Sequence, residues 1–307
     1  MTYHILTITH RGAWLSTSRG FLVCSIKGQA DRRLPLADIR AVVIAVPQVS
    51  FSNQCLSRLL AQEVVVLHCA EDFEPVGWTV GLTRMIHEQA FFNQISSEPV
   101  LRALLWDQII RQKISNQLTL LDRVAPGHGV SDDGDEPDEA RIARLYWKHY
   151  FPALSAPQKR EKRGAESFEN KALNYGYAVL STLVHRALLI HGLQPVLGIH
   201  HKERYGSTPL VYDCVEPLRP IVDAALYDYL QDNEAGAESP FREWIAYLME
   251  YLKDHRLPGP NPKHSYKVVD FVEQYINSLR QCFASETHQG LLLPKLDELC
   301  CQPEKQF

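Results

Sequence analysis

Residues Leu197–Pro220 read LGIHHKERYGSTPLVYDCVEPLRP. Two adjacent histidines, His200 and His201, follow a glycine, and a turn-like Tyr-Gly-Ser-Thr-Pro run leads to the acidic pair Asp213 and Glu216. Beyond Pro220, the residues Ile221, Val222, Ala225, Leu226 and Leu230 repeat at helical spacing, so the acids stand at the mouth of a packed helix. Acids in that position cost desolvation energy unless something compensates them. One histidine with two carboxylates is a ligand set suited to a hard or borderline divalent cation. Local spacing leaves a second reading open, in which Asp213 is an N-cap and Glu216 sits in capping-box position three residues later.

Upstream, the first 80 residues are rich in short β-branched runs broken by Gly, Arg and Ser. Ile5–Thr9, Ala13–Thr17, Phe21–Ile26, Ile39–Val46 and Val64–Leu67 read as strands, and Asn53–Glu63 as one embedded helix. From about residue 83 the period becomes helical: Met85–Ile95, Val100–Val124, Glu139–Tyr150, Asn170–Gly192, Pro220–Asp232, Pro240–Lys253 and Tyr266–Ala284. On the second of these, Leu101, Leu104, Leu105, Ile109, Ile110, Ile114, Leu118 and Leu121 form the core stripe, and Arg102, Arg111, Lys113 and Arg123 take polar positions. The pattern predicts an α+β chain: a β-rich unit over 1–80, a linker and the start of helices over 81–99, and a larger all-helical unit over 100–307.

On the helix opening at Glu139 the stripe is Ile142, Leu145, Tyr146 and Tyr150. Glu139 precedes Ile142 by three and Tyr146 by seven, which turns this carboxylate inward and demands a partner.

The totals narrow the class. The chain has 307 residues, 45% hydrophobic and 22% charged, with a net charge of −4. It reads as a globular protein with room for one large domain or two ordinary ones. No apolar run approaches the roughly 20 residues that span a bilayer. The start MTYHILTITHRG does not have the basic and apolar regions of a signal peptide, so a cytoplasmic location with no membrane partner is expected. Seven cysteines without C-x-x-C spacing argue against a disulfide framework or a zinc ribbon. Cys214 carries no Cys-His pattern that would make it a nucleophile. No G-x-x-x-x-G-K-[ST] motif suggests ATP use. An acidic run, Asp132–Glu139, and a basic one, Lys159–Arg163, each read first as solvated surface.

Three ordered segments, EARIARLYW from Glu139, NKALNYGYAVL from Asn170, and LGIHHKERYG followed by DCVEPLRP, together resemble the CRISPR-associated protein 1 family, the integrases of spacer acquisition. Most of the chain is covered, and members accompanying single-effector (type II) systems are the most similar. The resemblance implies that Glu139, His201 and Glu216 are the catalytic metal ligands for Mg²⁺ or Mn²⁺, with Asp213 and His200 as accessory groups. The family's L-G-x-x pattern selects His201 over His200. Many members carry Asp where this chain has Glu216, which lengthens the arm by one methylene. The Pro usual near Asn170 is replaced by Phe168-Glu169.

The implied reaction is transesterification, joining the 3′-OH of a short duplex to the repeat of a CRISPR array. The implied partners are double-stranded DNA, a second copy of the chain through the β-rich unit, and the small CRISPR-associated protein 2. Arg141, Arg144, Lys148, Lys159, Arg160, Lys162 and Arg163 are the candidate DNA contacts. Two other readings stay open: a metal-dependent nuclease on branched DNA, and a non-catalytic DNA-binding scaffold.

Overall fold

A computed structural model describes residues 4–70, 75–82, 87–132, 138–156, 159–161, 165–202, 208–232, 240–261 and 263–301. The chain divides into two compact units: residues 1–86 with 163–165, and residues 87–162 with 166–307.

The first unit is built on two sheets. Strands β1 (His4–Ile8), β5 (Ile39–Ile44) and β7 (Val65–Cys69) lie parallel, with β8 (Pro75–Thr79) antiparallel at the edge. A second sheet runs in the order β4 (Arg32–Pro35), β3 (Phe21–Ser25), β2 (Trp14–Ser18) and β6 (Ser50–Phe51). Parallel β5 and β7 require a crossover, and α1 (Asn53–Ala61) supplies it. The hydroxyl of Ser52 caps that helix by accepting from the Cys55 amide at 3.1 Å, and Cys55 and Leu59 turn inward. The β5 sequence IRAVVI is buried almost throughout, as a covered parallel strand demands. Here the β-rich reading with one embedded helix matches the structure.

The second unit is mainly helical: α2 (Glu88–Ser96), α3 (Pro99–Val124), α4 (Glu139–Ala153), α5 (Phe168–Ile190), α6 (Pro209–Val215), α7 (Arg219–Asp232), α8 (Pro240–Asp254) and α9 (Val268–Ser285). Helix α5 is buried nearly all round from Asn170 to Leu188, the mark of a central helix, and α6, α7 and α9 pack on it. At its crossing with α7 a Cβ on Gly176 would come within 2.3 Å of Val222 Cγ1, so only glycine admits this approach. The segment expected as a linker and the start of helices contributes α2, largely within the stretch Met85–Ile95 read as helical.

Two expectations need correction. The larger unit is not all-helical, because β9 (His255–Pro258), β10 (Ser265–Lys267) and β11 (Cys300–Cys301) form a three-stranded antiparallel sheet. Prolines 258 and 260 stop helical propagation there. The Gly259 amide closes the turn on the His264 carbonyl at 2.9 Å, and the Arg256 guanidinium clamps the Ser265 hydroxyl and carbonyl. Helix α9 therefore begins at Val268 rather than Tyr266. The short helix α6 also lies in a stretch read as turn and cap. Among the described residues no helix is long and apolar enough to cross a membrane.

Candidate metal and catalytic site

Pro209 opens α6, its fixed φ suiting the first helical position. This starts the helix four residues before Asp213, which excludes the N-cap reading. Asp213 is fully buried, and its carboxylate reaches back to the turn before the helix. Oδ2 accepts the amides of Ile199 (2.6 Å) and His200 (3.1 Å). Oδ1 accepts the His201 amide (3.1 Å) and ring Nδ1 (2.6 Å). Gly198 makes this fold-back possible: a Cβ there would stand 2.3 Å from the His201 carbonyl oxygen and 3.1 Å from Asp213 Oδ2.

A carboxylate only accepts, so Nδ1 of His201 carries a proton, and in the neutral ring the lone pair lies on Nε2. The hydrogen bond to Asp213 is the foremost cause raising the pKa of His201. Partial burial opposes it, and the charges of Asp213, Glu216 and Glu139 add to it. Trp106 on α3 braces the pair: its ring stacks on His200 at 4.2 Å and meets His201 edge-on at 5.6 Å.

Glu139 is placed by the start of α4, where the Asp138 side chain caps the helix through the Arg141 amide at 2.9 Å. Its Oε1 accepts from Lys113 Nζ at 2.6 Å. The same ammonium lies 2.5 Å from Glu216 Oε2, while Arg219 pairs with Glu216 Oε1 at 3.1 Å. Burial pushes the Glu216 carboxyl up, but Arg219 and Lys113 outweigh it and hold the pKa below the usual range. Asn116, one turn along from Lys113, donates to the Pro217 and Pro294 carbonyls and accepts from the Leu296 amide. It fixes the backbone beside Glu216.

Lys113 overturns its expected place among the polar positions. Its side chain is 9% exposed and points into the site. The signal was present in the sequence: Lys113 is four residues from Ile109 and Gln117 and seven from Leu120, all buried, which puts it on the inward stripe.

The donor set suits a hard divalent ion. Its members are one imidazole and two carboxylates from three segments: the charges of Glu139 and Glu216 reach His201, and the Lys113 ammonium sits between the two acids. Glu216 Oε2 is buried, and the Lys113 ammonium at 2.5 Å is the positive charge set against it. Both acid oxygens touch one nitrogen, so they are no more than about 5.1 Å apart. Among the described residues, no three His, Cys, Asp or Glu side chains are gathered closely enough to hold an ion as they stand.

The other candidates separate. Arg141, Arg144 and Lys148 are exposed along α4, and Arg141 reaches the Ser131 carbonyl at 3.0 Å. Lys159 is exposed. Arg160 turns inward, donating to Asn170 (3.1 Å) and Asn174 (2.6 Å) and lying over the Trp147 and Tyr177 rings. Lys162 and Arg163, and residues 133–137 of the acidic run, lie outside the described residues. Cys214 is fully buried, and burial raises its thiol pKa, which removes it as a nucleophile.

Sequence reasoning missed a second cluster. Asp223, buried on α7, accepts from Tyr146 (2.7 Å) and Tyr177 (2.5 Å), and its carbonyl accepts from Tyr150 (2.7 Å). Burial pushes its carboxyl up to about 6, against the tyrosine hydrogen bonds. The hint was an acid inside the apolar run Pro220–Leu226. Arg219 lies 5.1 Å over the Tyr177 ring, so this cluster adjoins Glu216.

The profile of the family described as CRISPR associated protein Cas1 matches residues 6–141 and 136–245. The CRISPR-associated endonuclease Cas1 of Neisseria meningitidis serogroup C is 30% identical over 316 aligned positions, 96% of this chain and 97% of that protein. Two solved structures share the fold. A casposase bound to integration product has a TM-score of 0.74 at 16% identity, covering 94% of this chain and 92% of the other. A Cas6-RT-Cas1–Cas2 complex has a TM-score of 0.76 at 15% identity, covering 96% of this chain and 36% of that one. The matched profile and the full-length relative together place this chain in the CRISPR-associated protein Cas1 family.

Proposed function

We propose that this protein is the integrase and endonuclease of CRISPR adaptation, working through a divalent metal centre held by Glu139, His201 and Glu216. The observation that carries the site assignment is the single ammonium bridging Glu139 and Glu216, acids 77 positions apart in the sequence. A relative named as a CRISPR-associated endonuclease and a structural neighbour bound to an integration product support the reaction class.

The reaction is phosphodiester exchange. The 3′-oxygen of a short duplex bonds to a phosphorus at the repeat boundary and loses its proton. The bond from that phosphorus to the target strand's 3′-oxygen breaks, and the leaving oxygen takes a proton. One phosphodiester replaces another, so no nucleotide is consumed.

When bound, Mg²⁺ or Mn²⁺ supplies Lewis-acid polarisation of phosphate oxygens and stabilises their developing charge. The chain does the rest. Asp213 orients His201 so that Nε2 faces outward unprotonated. Arg219 keeps Glu216 ionised. Arg141, Arg144 and Lys148, on the helix that Glu139 opens, and the exposed Lys159 bind the DNA backbone in a salt-dependent way. The β-rich unit joins two copies, and the CRISPR-associated protein 2 sets the spacing of two centres, in keeping with the Cas1–Cas2 complex among the fold neighbours.

Purified protein, with and without that partner, should join a short duplex bearing free 3′-OH ends to a supercoiled plasmid carrying a repeat, in Mg²⁺ or Mn²⁺. Joining that persists in EDTA or in His201→Ala defeats the assignment. Metal-dependent nicking without joining points to a nuclease, the activity named for the relative, and branched DNA is then the substrate to try. DNA binding with neither reaction points to the scaffold.

A further inference from the structure

We propose that Lys113 is the internal counter-cation of the metal centre: its ammonium ties Glu139 to Glu216 while no divalent ion is bound, and leaves the space between them when one binds. The proposal rests on the metal-centre reading above and adds to it a group that competes with the ion.

Three observations support it. First, among the described residues the Lys113 ammonium pairs with these two acids. A nearly buried ammonium is costly in the absence of ionic partners, and its two partners lie on separate elements, α4 and the single 3-10 turn Glu216–Leu218 before α7. Two carboxylates converging on one place repel unless a cation stands between them.

Second, the charge is shared. Nζ donates to Glu139 Oε1 at 2.6 Å and lies 2.5 Å from Glu216 Oε2, so one positive charge faces two carboxylates. A divalent ion would balance both.

Third, the other groups of the site are anchored independently of the lysine. Glu216 stays anchored by Arg219 on its other oxygen, Pro217 by Asn116, and His201 by Asp213. Lys113 has a flexible four-carbon stem and a compact charge.

The exchange has a sign that a purely structural lysine would not give. Lys113→Met removes a competing charge, so Mn²⁺ should bind more tightly even as the metal-free protein becomes less stable. The affinity should rise by about tenfold or more, since one neighbouring charge in a partly dry site is worth at least that factor. Lys113→Arg, which keeps the charge in a bulkier planar group, should bind Mn²⁺ no better than the parent. Mn²⁺ binding is read by titration calorimetry or by the electron paramagnetic resonance of the free ion.

A second measurement needs no variant. Reductive methylation of the unaltered protein, followed by peptide mass spectrometry, should label Lys113 severalfold more in saturating Mn²⁺ than in EDTA, with exposed Lys148 as the reference. This labelling decides the matter if Lys113→Met does not fold. Should the parent bind Mn²⁺ and lose it in His201→Ala, while Lys113→Met binds no tighter or labelling ignores the metal, the counter-cation role is refuted and the metal centre stands. If the parent binds no Mn²⁺ at all, both fall.

Discussion

Replacing Asp213 tests how the site is held. Its carboxylate collects four donors: three successive backbone amides and the ring nitrogen of His201. In Asp213→Ala the amides of Ile199, His200 and His201 lose an ionised acceptor at a fully buried position. Each abandoned donor costs about 1–3 kcal/mol; some of these amides can take up water, so roughly 3–5 kcal/mol of stability should be lost. Asp213→Asn is the sharper probe. Its oxygen can still serve Ile199 and His200, but its NH₂ then confronts two donors, the His201 amide and Nδ1. His201 relieves the clash by moving its proton to Nε2, so that Nδ1 accepts. That tautomer has no free outward nitrogen. The Asn variant should therefore keep more stability than the Ala variant, yet lose at least about tenfold in Mn²⁺ affinity, the scale of orienting-group losses at metal sites. Urea unfolding in EDTA gives the first quantity, and Mn²⁺ titration with ¹⁵N-histidine spectra gives the second. Full Mn²⁺ affinity in Asp213→Asn, with an unchanged His201 tautomer, would refute the reasoning.

Three other expectations follow from the same contacts. Asp223, pushed up to about 6 by burial against 3.8 when free, holds its proton longer folded than unfolded. Its contribution to stability is complete below about pH 4 and is lost as pH rises through 6, by about 3 kcal/mol; the stability of the parent relative to Asp223→Asn should fall across that window, and a flat difference counts against it. Gly198→Ala drives a Cβ to 2.3 Å from the His201 carbonyl, so the turn must open, and Mn²⁺ affinity should drop together with the melting temperature. Asn116→Ala removes two buried hydrogen bonds, to the Pro217 and Pro294 carbonyls, and two part-buried ones, from the Leu296 amide and Gln112, and should cost about 2–4 kcal/mol, with faster amide exchange at Leu296 reporting the freed segment.

Much of the scaffold was legible because it follows period. The stripe of α3 and the long apolar run of α5 announce helices wherever they pack, and the β-branched runs of the first unit do the same for strands. The short elements were not legible. α6 and the strands β9–β11 draw their stability from Asp213, Arg256 and the flanking prolines, whose partners are distant or irregular, so no local period marks them. The need of Glu139 for a partner could be read from its stripe, although its side chain stays 42% exposed. Lys113 occupies the same kind of position on α3, yet a lysine at helical spacing reads as surface until its partners are known.

The sequence by itself determined the helical and β-rich segments, the family motifs and the identities of the candidate ligands, because these are properties of residue order. Only the tertiary structure decided which groups meet. It brought Lys113 between Glu139 and Glu216, bent the Gly198 turn onto Asp213, turned Arg160 inward and closed three tyrosines around Asp223. Such pairings arise because the charged or polar ends of side chains far apart in the chain must find one another once packing has taken their water away.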